Sequence, residues 1–210
     1  MPEQGRRPQA RTRLARRTTI DTARALFLER GYHATTVEAI SNVADVPQAT
    51  IYRLFASKQG ILKAVLDTSI VGDDEPVPVA SRPHVLQLLA GPDPRDQLAG
   101  LAAISVDINQ RVAPILRMLA SAADSDPDAA ALLDDLAQQR RAGQSRLATA
   151  LGRSGALRSG LRLADATDII HALASPELYR LLVFERGWPP EKYQRWLAGT
   201  LTDQLLVENP

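Results

Sequence analysis

The chain contains no cysteine. Disulfides and thiolate metal sites are thereby excluded, and packing alone must hold the fold. Aromatic residues are scarce at 4%, and they are unevenly placed. All nine lie either from Phe27 to Phe55 or from Tyr179 to Trp196; the span from Ala56 to Leu178 has none. Lysine is nearly missing, with Lys58, Lys63 and Lys192 standing against 22 arginines. No run of 18 apolar residues occurs, so no membrane-spanning helix is expected. The basic N-terminus lacks the apolar segment that would make it a signal peptide, and a cytoplasmic chain is expected. His33, His84 and His171 share no metal-binding spacing. Neither a Ser/His/Asp set nor a glycine-rich phosphate loop stands out. Enzyme activity, a bound metal and a cofactor therefore have no residues to rest on.

What the chain does have is helical periodicity. At 210 residues and 45% hydrophobic content it can bury one large core or two small ones. Apolar residues recur at helical spacing from end to end and no strand pattern competes, so the expected fold class is all-α. The formal net charge of +1 conceals a split. Residues 1–64 carry 11 Lys+Arg against 5 Asp+Glu, net +6, and residues 65–210 carry 14 against 19, net −5. A basic head on an acidic body fits a nucleic-acid-binding module joined to one that stays off phosphate.

The head centres on Thr35 to Lys58. Val37, Ile40 and Ala44 share one helical face, and Ile51, Leu54 and Phe55 share another. Between them, Asp45 tolerates the backbone of a sharp turn and Pro47 suits a helix start. Either Thr35, with Glu38, or Thr36 caps the first of these helices. The outward face of the second presents Gln48, Ala49, Thr50, Tyr52 and Arg53 on a helix that fits a major groove. The pattern is a helix-turn-helix with Gln48 to Phe55 as the recognition helix.

From about Thr19 to Leu66 the sequence resembles the DNA-binding domain of the TetR family of bacterial transcriptional regulators. The likeness is carried by Ala25-x-Phe27 with Gly31-Tyr32, by Thr35-Thr36-Val37-x-x-Ile40, and by Thr50-Ile51-Tyr52-x-x-Phe55 followed by Ser57-Lys58. Asp45 departs from the usual turn glycine and Pro47 from the usual serine. The resemblance implies a three-helix head over residues 18–66 and a helical effector-binding and dimerisation body over 67–210. It implies DNA contacts at Thr50, Tyr52 and Lys58, and Thr36 is a further expected contact. The chemistry of the outward face adds Gln48 for adenine, Ala49 for a thymine methyl and Arg53 for guanine or phosphate. A homodimeric repressor released from operator DNA by a small molecule is the function expected. The alternative is a ligand-independent or partner-controlled activator.

Before the head, residues 1–17 hold six arginines with Pro2, Gly5 and Pro8, and read as a disordered arm drawn to phosphates or the minor groove. Thr18 or Thr19 is expected to cap the first helix, and Gly31 to end it. In the body, helices are expected over 94–112, 114–123, 127–152, 164–186 and 190–206, with Ser175-Pro176 interrupting the fourth of these. The aromatic-poor span points to a pocket lined by Leu101, Ile104, Ile108, Met118, Leu119, Leu136 and Leu147. Such a wall suits an aliphatic or acyl-like effector whose polar end Arg117 or Arg140 orients; Tyr179 or Phe184 is the route by which an aromatic would enter it. The apolar surplus of the last helices points to a homodimer through Leu178, Leu182, Trp196, Leu197 and Leu201.

Overall fold

A computed structural model describes residues 6–72 and 77–207. Among these residues ten α-helical segments follow one another: α1 Arg6–Ala34, α2 Val37–Ala44, α3 Gln48–Phe55, α4 Lys58–Val71, α5 Pro83–Ala90, α6 Pro94–Ala123, α7 Pro127–Arg153, α8 Leu163–Leu173, the single turn α9 Pro176–Tyr179, and α10 Pro190–Leu205. Among the described residues β-type pairing is limited to one antiparallel bridge between Leu157 and Leu206. The all-α expectation holds.

Helix α1 starts at Arg6, which corrects the disordered arm expected over residues 1–17. Residues 1–5 lie outside the described residues, but 6–17 are the first turns of α1. The reason is local: Gln, Ala, Leu and Arg dominate residues 9–17, and all four are strong helix formers. Thr19, one of two residues expected to cap the helix, instead lies inside it. It is fully buried and its hydroxyl donates to the Ala15 carbonyl at 2.7 Å. Gly31 does break the regular helix, with φ of 80°.

The chain divides into two units. The first comprises Met1–Ser69 with Pro114–Leu133, and the second Ile70–Ala113 with Asp134–Pro210. The first thus takes up the end of α6 and the start of α7 along with the head. Its core is built from Ile20, Ala23, Leu26 and Phe27 of α1, Ile40 of α2, Ile51 of α3, and Ile61, Leu62, Val65 and Leu66 of α4. The second unit buries Leu98, Ala102 and Val106 of α6 with Leu147, Ala148 and Leu151 of α7. Ala166 and Ile170 of α8 and Tyr193, Leu197, Leu201 and Leu205 of α10 complete that core.

Two helix breaks differ from the expected pattern. Pro114 does not separate two helices; α6 runs through it without interruption. Pro114 has no N–H for the Gln110 carbonyl, but Gln110 lies on the exposed side, where solvent can serve that group. The interruption at Ser175-Pro176 does occur. The Ser175 hydroxyl accepts from Leu178 N at 3.1 Å and caps α9, which widens into a π-helical stretch from Arg180 to Glu185.

Candidate nucleic-acid interface

Two threonines fix the start of α2, and Asp45, Ser41 and Pro47 shape the turn from α2 into α3. Thr36 settles the choice of cap: its side chain accepts from Ala39 N at 3.0 Å. Thr35 is buried, and its hydroxyl donates to the carbonyls of Gly31 and Leu26, tying α2 to the end of α1. Asp45 takes the left-handed conformation (φ 52°, ψ 42°), and its N–H donates to the Ser41 carbonyl. The Ser41 hydroxyl then donates to the Val46 carbonyl at 2.7 Å, closing the turn from the helix side. Pro47 stands just outside α3 as its cap residue, and its carbonyl accepts from Thr50 N and Ile51 N.

Helix α3 is held by its buried Ile51 and Phe55, with Leu54 half-buried. This leaves Gln48, Ala49, Tyr52 and Arg53 exposed and Thr50 half-exposed. Tyr52 is 50% exposed, unusual for an aromatic side chain on a short, well-packed helix. Hydrogen-bonding groups and one methyl thus share a free face in the basic part of the chain. Thr36 is also exposed, but its oxygen is already engaged as a cap.

Lys58 is placed differently from its neighbours. Its ammonium donates to the Tyr32 carbonyl at 3.0 Å and stands 4.2 Å from the centre of the Tyr32 ring. Burial lowers its pKa, against the pull of Asp126. An ammonium has three donors, so one bond to Tyr32 leaves two for other acceptors. Asp126 belongs to the turn between α6 and α7, where its carboxylate caps α7 through Asp128 N and Ala129 N. Nearby, the Gln59 amide donates to the Asp128 carbonyl, and Ser125 hydroxyl and His33 imidazole lie 3.4 Å apart. No local pattern marks this junction, because its partners are about 70 to 90 residues apart.

The second unit carries a polar cluster of its own. Arg140 donates to the His171 carbonyl at 2.9 Å, and its other terminal nitrogen is 3.0 Å from His171 Nε2. A guanidinium only donates, so Nε2 accepts, and Nδ1 then carries the proton toward Gln144 Oε1 at 2.8 Å. Burial holds the His171 pKa below 6.5, aided by the charges of Arg140 and Arg141 and opposed by Glu177 and Asp168. The neutral imidazole is therefore the form that folding favours. Below pH 6.5 the unfolded chain takes up a proton that the folded chain resists, so stability should fall as pH drops from about 7 to about 5. The urea midpoint across that range checks this, and His171→Gln should flatten the decline.

The expected pocket residues do not come together in one unit. Arg117, Met118 and Leu119 belong to the first, and Leu101, Ile104, Ile108, Leu136, Arg140 and Leu147 to the second. Leu119, Leu136 and Leu147 are buried, whereas Leu101, Ile104 and Ile108 form a half-buried stripe along α6. The interior of the second unit is not aromatic-free. Tyr179 and Tyr193 are fully buried with ring centres 5.0 Å apart, and Phe184 and Trp196 pack edge-on or tilted against them. The Tyr193 hydroxyl donates to the Leu173 carbonyl, and the buried Tyr179 hydroxyl has Gln110 as its neighbouring polar side chain. Two expected interface residues also need correction. Leu197 and Leu201 are fully buried within their own protomer, because the stripe Tyr193, Leu197, Leu201 and Leu205 faces the unit's core. Leu178, Leu182 and Trp196 are half-buried, and Leu181 and Phe184 are exposed.

Residues 20–65 match the family model for bacterial regulatory proteins of the tetR family. The head is of the TetR type. A helix-turn-helix head of this type is a DNA-binding module of transcriptional regulators. The same region is 45% identical over 47 residues to an uncharacterized HTH-type transcriptional regulator, YvkB, of Bacillus subtilis (strain 168). That match spans 22% of this chain and 25% of the relative's length. The TetR-type fold extends further. NalD, the secondary repressor of the MexAB-OprM multidrug efflux pump in Pseudomonas aeruginosa, superposes with a TM-score of 0.70 at 21% identity. That superposition covers 94% of this chain and 100% of NalD. FadR of Bacillus subtilis, solved with stearoyl-CoA, gives 0.68 at 17% identity over 88% and 96% of the two chains. Among the described residues, no helix is long and apolar enough to cross a membrane and no cluster of metal-binding side chains occurs.

Proposed function

We propose that the protein is a homodimeric repressor that reads a pseudo-palindromic operator with α3 and is released from it by a small-molecule effector. The observation that carries the DNA half is the free face of α3, where Gln48, Ala49, Tyr52 and Arg53 are exposed on a helix pinned by Ile51 and Phe55. Tyr52, Thr50 and Thr36 donate to phosphate oxygens, as do the two remaining N–H groups of Lys58. Gln48, Ala49 and Arg53 read base edges in the major groove. Selection of bound fragments from a random DNA pool tests this and yields the operator. Tyr52→Ala and Lys58→Ala should weaken binding to every sequence, the latter lowering the salt slope by about 1. Gln48→Ala should instead change the preference at one or two bases. A folded Tyr52→Ala, Lys58→Ala double variant that binds the selected operator normally would remove α3 from this role.

The effector half rests on the half-buried stripe of Leu101, Ile104 and Ile108, with Arg140 in the same unit to orient a polar end. These residues favour an aliphatic or acyl-like ligand, and stearoyl-CoA in FadR is a ligand of that chemistry. The ligand acts only by binding the DNA-released arrangement better than the DNA-bound one. A thermal-shift screen of acyl compounds against planar cations tests this class. Stabilisation by the cations alone would overturn it, and DNA binding indifferent to every stabilising compound would favour control by a partner protein.

A further inference from the structure

We propose that the first turns of α1 form a second DNA-contacting surface, a phosphate-binding face made of Arg13, Arg16 and Arg17 that continues from the C-terminal end of the recognition helix. It rests on the reading of α3 as the helix that enters the groove. Residues 13, 16 and 17 stand at i, i+3 and i+4, so they share one helical face. The direction of that face is fixed by Arg16, whose guanidinium lies over the ring of Phe55, 5.7 Å from its centre. Phe55 is the last residue of α3. All three arginines are exposed. Asp21 lies 3.9 Å from Arg17 with both side chains 69% exposed, a weak and screened contact.

The rigidity of α1 decides what this face touches. A flexible arm could thread a minor groove, but a helix with its side chains is about 10–12 Å across, against a groove about 6 Å wide. The face therefore lies along the backbone, outside the groove. From Arg13 to Arg17 the helix rises about 6 Å, so the two guanidiniums can reach different phosphates of one strand. Arginine suits this contact because its planar fork meets two phosphate oxygens at once. The contact is blind to sequence: it adds affinity and orients α3, while α3 supplies the discrimination.

The full chain and its Arg13→Ala, Arg17→Ala variant are titrated by fluorescence anisotropy against the selected operator and a random-sequence duplex, over a range of salt. Arg16 is left in place because it packs on Phe55. Two lost phosphate contacts should lower the slope of log K against log salt by about 1.8 on both duplexes, with the specificity ratio unchanged. Arg11→Ala, two residues from Arg13 and so off its face, should leave the slope as it is. Alanine is the better helix former, so α1 is retained. An unchanged slope in the double variant, an equal drop in Arg11→Ala, or a loss confined to A·T-rich flanks would each overturn the proposal. Wild-type protein that binds neither duplex would overturn the DNA-binding reading as well; binding with an unchanged variant slope would overturn this surface alone.

Discussion

Gly60→Ala should abolish DNA binding and destabilise the first unit by about 3 kcal/mol, the upper end of what overpacking costs in a formed core. Gly60 is the third residue of α4, and a Cβ there would stand 1.9 Å from the carbonyl oxygen of Phe55. The oxygen is backbone and a Cβ is fixed rigidly to its own backbone, so no side-chain rotation relieves the clash. The oxygen is already held in place, since it accepts from Ser57 N at 2.8 Å and the intervening Ala56 sits at a positive φ of 62°. Only a shift of α3 against α4 makes room, and that shift moves the whole row from Gln48 to Arg53. Gly143→Ala is the control of opposite sign. It lies within α7 with nothing inside 4 Å of its added Cβ, so it should gain about 1 kcal/mol from helix propensity. Urea unfolding and operator binding measured on both variants separate a crowded glycine from a merely flexible one. Operator binding by Gly60→Ala at wild-type affinity would show that the α3–α4 junction is looser than its geometry implies.

The head was legible because its signals are local. Apolar spacing gave α3 its bounds, and the turn needed a residue tolerant of the left-handed region, which Asp45 supplies. Even there, the choice between Thr35 and Thr36 required the fold. Both can cap, and only tertiary structure buries Thr35 against the carbonyls of Leu26 and Gly31. The bond that places Lys58 also needed the fold, because the Tyr32 carbonyl that accepts it is 26 residues away. Composition misled at the N-terminus, where a run of arginines reads as a solvated tail although its residues are good helix formers. In the body, periodicity identified an apolar stripe on α10 but could not say what covers it. A stripe facing its own core and one facing a partner have the same spacing. The structure assigns Leu197 and Leu201 to the core. Pro114 illustrates the converse, a strong local breaker overridden within a long helix.

Substituting Leu181 and Phe184 with glutamate should convert a dimer into a folded monomer, whereas Leu201→Ala should weaken the fold without changing the mass of what remains folded. The two outcomes follow from where the side chains lie. Leu181 and Phe184 sit on the π-helical stretch after α9, 38% and 50% exposed, with half-buried Leu178 and Leu182 beside them. A lone protomer leaves this apolar group in water, and a second copy of the chain is the partner that the dimeric reading supplies. In a two-fold interface each substitution occurs twice, so the double variant would bury four unpaired carboxylates. A penalty of about 4 kcal/mol already weakens association roughly a thousandfold, and unpaired buried charges commonly cost that much. Leu201 is fully enclosed by its own unit, so truncation opens a cavity worth about 2–5 kcal/mol of unfolding free energy. Sedimentation at micromolar concentration, paired with urea unfolding, distinguishes the two effects. A wild-type monomer would remove the dimer from the proposed function. A Leu181→Glu, Phe184→Glu variant that still sediments as a dimer would move the interface to another face, since an isologous contact at this patch cannot hold four facing charges.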